Sequence, residues 1–146
     1  MAHVSTPHYA RDMSGQNLPM MRPARALVAD ESDEQRASIQ RMLEPLGFEV
    51  AQARDGRALF WRLEELRRLR MEWNWVVFTD VRMPVYGGLE VLEAWREDAR
   101  PCRLVVTAAD PDDALAQRVR ALGGFLLAKP FSAEQLHLTL TRACDV

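Results

Sequence analysis

Lysine is almost missing from this chain of 146 residues: Lys129 is the one lysine among nineteen basic side chains. Cysteine is scarce too, with Cys102 and Cys144 far apart, no CxxC spacing and no histidine cluster beside either. That pattern excludes a disulfide framework and a zinc site, and it points to a reducing, cytoplasmic setting. Charge of one sign is absent as well: the formal net charge is −2, with acids and bases interspersed, so no nucleic-acid footprint is expected. No apolar run approaches the length of a membrane span, and the N-terminus lacks the apolar core of a signal peptide. A soluble protein with no membrane partner is expected. What the chain does have is a hydrophobic share of 48%, enough at this length to bury the core of one domain.

Residues 1–23 mix Ser, Pro, Gly, Asn, His and Met without periodicity and read as a flexible tail, with Met13, Met20 and Met21 offering alternative starts. The unit expected to fold is 24–146. It begins with the apolar run Ala26-Leu27-Val28-Ala29, which stops at Asp30-Glu31. Ser32-Asp33-Glu34 then caps a helix carrying Ile39, Met42, Leu43 and Leu46, ended by Gly47. A strand at Phe48–Ala51 precedes a helix from Asp55-Gly56, with Leu59, Leu63, Leu66 and Leu69 on one stripe and Arg67, Arg68 and Arg70 in its last turn. Glu64-Glu65 and Arg67-Arg68 read as its solvated face. The strand Trp75–Thr79 ends at Asp80 and leads into a Pro-Gly loop and a helix from Leu89. The strand Arg103–Val106, a helix around Asp112–Leu122, the strand Phe125–Ala128 and a helix over Ser132–Cys144 complete five βα units. Short continuous apolar strands alternating with amphipathic helices predict an α/β fold, a five-stranded parallel sheet with helices on both faces.

Open parallel sheets bind ligands beyond the carboxyl ends of their strands. There this sequence places Asp30-Glu31, Asp80, Thr107 and Lys129. Three carboxylates held together repel one another, and all-oxygen ligation points to Mg²⁺ or a similar hard cation. With the Thr107 hydroxyl and the Lys129 ammonium, such a site cradles a phosphoryl group, and the middle carboxylate, Asp80, could accept it. Each residue also has a plainer reading. Asp30 and Glu31 could cap the following helix, Asp80 could open an ordinary turn, and Thr107 could be a strand residue chosen for its β-branch. His137 reads as a surface or half-buried side chain, and His3 and His8 belong to the tail. Trp61, Trp73, Trp75 and Trp95 read as packing residues, with Trp73 and Trp75 alternatively forming an exposed patch.

The segments ALVADE, FTDVRMP, VVTAAD and LLAKPF, in this order, resemble the receiver domain of two-component response regulators, over residues 25 to 143. The resemblance implies a flavodoxin-like receiver fold with strand order 2-1-3-4-5. It implies Asp80 as phosphoacceptor, taking phosphoryl from a histidine kinase or histidine phosphotransfer protein. It implies Mg²⁺ held by Asp30, Glu31, Asp80 and the backbone carbonyl of Arg82, and Thr107 and Lys129 as phosphoryl-binding switch residues. Pro130 is implied to follow the lysine through a cis bond that fixes its approach. Lysine, a compact point charge on a flexible stem, would fill that place differently from a planar arginine.

Two departures stand out. Glu31 replaces the usual aspartate of the acidic pair. The aromatic switch residue expected three positions before the lysine is Leu126, with Phe125 one step away, so either the register slips or the aromatic switch is absent. Only a few residues follow the last helix, so output is expected through protein contacts at the face of the fourth helix, fifth strand and fifth helix, with a homodimer or a downstream target as partner. A phosphorylation-independent adaptor on the same scaffold is the alternative. An aspartate-nucleophile phosphatase would need a second aspartate two residues after Asp80, where Arg82 stands.

Overall fold

The computed structural model describes residues 9–11, 17–19, 24–69, 75–95 and 103–144. His3, His8, Met13, Met20, Met21, Arg70, Trp73 and Cys102 lie outside these described residues. Two three-residue strands, β1 (Tyr9–Arg11) and β2 (Asn17–Pro19), pair antiparallel with Tyr9 opposite Pro19. The sequence assigns no structure there, because three residues are too few to display a period of two.

The five βα units follow: β3 (Ala24–Ala29), α1 (Asp33–Leu43), β4 (Phe48–Ala53), α2 (Gly56–Leu69), β5 (Trp75–Asp80), α3 (Gly88–Trp95), β6 (Arg103–Ala108), α4 (Asp113–Ala121), β7 (Phe125–Ala128) and α5 (Ala133–Cys144). All five strands are parallel in the order β4-β3-β5-β6-β7, which is the 2-1-3-4-5 order of the unit. Helix starts are fixed by local chemistry. Ser32 Oγ accepts from the Gln35 amide at 3.0 Å, and Asp112 Oδ1 accepts from the Leu115 amide at 2.8 Å. At α5, Ser132 and Gln135 form a reciprocal capping box, each side chain accepting the other's amide.

Strand alternation divides the core into two layers. Leu27, Val77 and Val106 pack with Leu59, Leu63 and Leu66 of α2, Leu89 and Leu92 of α3 and Val119 of α4. On the other face, Val28, Phe78, Val105 and Leu127 pack with Ile39 and Leu43 of α1 and Leu136 and Leu140 of α5. Leu46, expected on the buried stripe of α1, is exposed instead. Pro45 tightens the last turn to a 3₁₀ helix over Glu44–Leu46, which swings Leu46 off the stripe, and Gly47 closes it at φ 94°. Trp75 and Trp95 are core residues, which removes Trp75 from any exposed patch, whereas Trp61 is exposed on α2 and stacks edge-on against Phe60. His137 lies on the exposed surface of α5.

Candidate functional site

Register brings the predicted strand-end residues to one edge. Asp80 is the last residue of β5 and lies directly beside Thr107 of β6, and Ala29, which precedes Asp30, is beside Thr79. Backbone bonds carry the ladder one step beyond the strands: Asp30 donates to the Ala53 carbonyl at 3.1 Å, Val81 to Thr107 at 2.9 Å and Lys129 to Ala108 at 2.8 Å. The alternation that sends Val28, Phe78, Val105 and Leu127 toward α1 and α5 puts Asp30, Asp80, Thr107 and Lys129 on that same face. Four side chains, the outermost two of them 99 residues apart in sequence, share one corner for this reason.

Asp30 is buried, at 2% exposure, and its carboxylate is fully engaged. Oδ1 accepts the Ser32 amide at 2.9 Å, and Oδ2 lies 2.9 Å from Lys129 Nζ. The capping alternative is thus partly realised: Asp30 ties down the entry to α1, Ser32 is the cap proper, and one carboxylate oxygen remains turned into the cleft. Lys129 Nζ also lies 3.3 Å from Asp80 Oδ1. Thr107 is buried beside them. The Lys129–Pro130 bond is cis. Glu31 is exposed, and Arg82 is exposed as well.

Two carboxylates share one ammonium. Burial pushes the Asp80 carboxyl above its ordinary 3.8; attraction to Lys129 and the amide of Arg82 oppose this, and repulsion from Asp30 adds to it. For Lys129, burial disfavours the charge, but the hydrogen bond to Asp30 and attraction to both carboxylates win and raise it above 10.5. The cleft therefore carries an excess of negative charge with an ammonium as its cation.

This donor set suits Mg²⁺, which takes one or two carboxylates and keeps several waters. Asp30 and Asp80 would supply the carboxylates, and the main chain at Arg82 passes beside Asp80. Among the described residues no group of three or more acidic, histidine or cysteine side chains gathers for a metal.

The loop after Asp80 is tightly held. Gly88 begins α3 against the strand end, where a Cβ would stand 2.3 Å from the Asp80 carbonyl oxygen and 2.2 Å from Thr79 Oγ1. Thr79 Oγ1 itself donates to that carbonyl at 3.1 Å. Val85, exposed at the loop tip, has φ 74°, a region a β-branched residue rarely enters. Leu126 pairs in register with Val106 and packs on the layer of α2, α3 and α4, while Phe125 packs on the opposite layer. The register does not slip, and the position three before Lys129 is occupied by leucine.

Sequence reasoning missed Arg36, which is buried on α1 and donates to the Asp30 carbonyl. The signal was present: Arg36 lies three and seven residues before Ile39 and Leu43, on their apolar stripe. Thr79 and Gly88 were missed because close approach across a sheet edge leaves no local pattern.

The family description of the response regulator receiver domain matches residues 26–141. The response regulator MprA of Mycolicibacterium vanbaalenii is 33% identical over 117 residues, covering 78% of this chain and 47% of the relative. The peroxide stress-activated histidine kinase mak3 of Schizosaccharomyces pombe is 29% identical over 119 residues, covering 77% of this chain and 5% of the kinase. The chain therefore spans less than half the length of these relatives. Among solved structures, chemotaxis protein CheY4 of Vibrio cholerae superposes with a TM-score of 0.71 at 29% identity, covering 84% of this chain and 99% of CheY4. CheY of Borrelia burgdorferi, in complex with CheX, BeF3 and Mg²⁺, shares the fold at a TM-score of 0.74 and 19% identity, covering 82% and 88% of the two chains. With the parallel 2-1-3-4-5 sheet and acids at its carboxyl edge, the match across residues 26–141 establishes that this chain belongs to the response regulator receiver domains of two-component and phosphorelay systems.

Proposed function

We propose that residues 24–146 form a phosphoryl-accepting switch, with residues 1–23 as an appended tail, and that Asp80 takes its phosphoryl group from the phosphohistidine of a histidine kinase or histidine phosphotransfer protein. The observation that carries this reading is the placement of Asp80 beside Thr107 and 3.3 Å from Lys129, with Asp30 facing the same ammonium. An Asp80 carboxylate oxygen forms the new bond to phosphorus while the phosphorus–nitrogen bond breaks, and the imidazole leaves with the electron pair. A carboxylate needs to be ionised to attack, and Lys129, with the Arg82 amide, opposes its protonation. When bound, Mg²⁺ would be held by Asp30, Asp80 and the Arg82 carbonyl, with Glu31 reaching in from outside, and would offset the charge of the transferring group. Lys129 then turns toward a phosphoryl oxygen, and the Thr107 hydroxyl, already on the same face, donates to another.

The chain catalyses at most its own phosphorylation and dephosphorylation, and acts in the cytoplasm through protein contacts. The face of α4, β7 and α5, where Leu138 is exposed, is the surface proposed for a downstream target or a second copy.

Calorimetric titration with Mg²⁺ and beryllofluoride tests this reading. Mg²⁺-dependent binding of beryllofluoride that disappears in Asp80→Asn is expected. Absence of both Mg²⁺ and beryllofluoride binding would replace the switch with a phosphorylation-independent adaptor.

A further inference from the structure

Arg36 is the one buried guanidinium among the described residues, at 8% exposure, and its partners tie the acidic cleft to the sheet edge. Nη1 donates to the main-chain carbonyl of Asp30 at 2.6 Å, Nε donates to Gln52 Oε1 on β4 at 2.8 Å, and Nη2 pairs with the Asp33 carboxylate. Gln52 continues the chain by donating to Gln40 Oε1 at 2.6 Å. The backbone of Asp30 is thereby held at both polar groups, its carbonyl by Arg36 Nη1 and its amide by the Ala53 carbonyl. Only a planar group with several fixed donors can span a backbone carbonyl, the side-chain oxygen of Gln52 and a carboxylate at once.

We propose that Arg36 is a positioning residue for the cation site. It fixes the Asp30–Glu31 peptide and so the direction in which the Asp30 carboxylate faces Asp80, without itself touching the cation. The proposal rests on the phosphoryl-switch reading of the same cleft. Groups behind metal ligands act in this way elsewhere, and their loss weakens metal binding by about tenfold or more.

Two physical effects of Arg36 on a cation have opposite sign. As a positive charge against the Asp30 carbonyl it repels a second cation; as a positioning group it assists one. Arg36→Lys keeps the charge and loses the fork, and Arg36→Met loses both. If positioning dominates, both variants bind Mg²⁺ about tenfold more weakly by calorimetry. In the metal-free protein, the Glu31 and Ser32 amides of Arg36→Lys exchange with solvent faster. Gln52→Met frees the same guanidinium from the β4 side and is expected to weaken Mg²⁺ in the same direction if the arginine variants do not fold. Ile39→Val loosens the same helix from its apolar side and is expected to leave Mg²⁺ affinity unchanged. Arg36→Met with tighter Mg²⁺ binding, Gln52→Met with unchanged binding, or an equal loss in Ile39→Val would overturn the positioning role while leaving the switch intact. Wild-type protein that binds no Mg²⁺ would overturn both.

Discussion

The Lys129 ammonium lies nearer to Asp30, 2.9 Å from Oδ2, than to Asp80, from which it is 3.3 Å. The one lysine of the chain is thus parked mainly on the neighbour of the proposed phosphoacceptor, leaving Asp80 less constrained. Three donors radiating from one point can serve two carboxylates and later a phosphoryl oxygen by a small rotation of the stem. A guanidinium would fork onto one carboxylate and hold it.

Lys129→Arg is therefore expected to accept phosphoryl but to show a weakened conformational response, read as smaller amide shift changes on phosphorylation. Lys129→Met leaves Asp30 buried with no cation. Because Lys129 is itself partly exposed, a loss of about 2 kcal/mol by urea unfolding is expected, below the range for a fully buried pair. Unchanged stability in Lys129→Met would contradict the pairing.

Asp80 has a raised folded-state pKa, so between 3.8 and the folded value the native chain binds more protons than the unfolded one. Stability contributed by this group falls as pH rises through that window. Asp80→Asn is accordingly more stable than wild type at pH 7, and the gap closes as pH falls toward 3.8. Lys129, raised above 10.5, contributes stability that is present below that pH and lost as pH rises through its folded value. Urea titrations of both proteins at a series of pH values give the measurement, and a gap that widened in acid would contradict the sign.

Val85 occupies φ 74° at an exposed loop tip. The left-handed region disfavours a β-branched residue by about 1–2 kcal/mol, whereas asparagine enters it readily. Val85→Asn is expected to raise stability by about 1 kcal/mol with the same urea dependence, and a loss of stability would rule out this strain.

Gly88 abuts the carbonyl of Asp80, so a methyl group there must push α3 away from the end of β5. Gly88→Ala is expected to destabilise by about 1–3 kcal/mol and to shift the Asp80 and Val81 amide resonances. An unshifted Asp80 resonance would show that the helix yields elsewhere.

Apolar continuity made the five sheet strands legible in the sequence, because strands buried on both faces need no polar partner pattern. Their ends were legible for the same reason: Asp30, Asp80 and Lys129 interrupt apolar runs. The parity that places them on one face with Thr107 was implicit in the spacing and became visible only with the register. Arg36 was obscured because an arginine on a helix is ordinarily solvated, and its burial depends on the carbonyl of Asp30 and on Gln52, which the fold brings to it from a neighbouring strand. The β1–β2 pairing and the exposure of Leu46 escaped periodicity because one involves three-residue strands and the other a tightened turn at Pro45.

Incubation with a small-molecule phosphoryl donor and Mg²⁺, followed by intact mass and peptide mapping, tests the phosphoryl switch most directly. One acid-labile phosphoryl group on the peptide containing Asp80, absent in Asp80→Asn, is the expected result. Wild-type protein that binds Mg²⁺ yet remains unmodified with every donor tried, or a phosphoryl group that persists in Asp80→Asn, would contradict it.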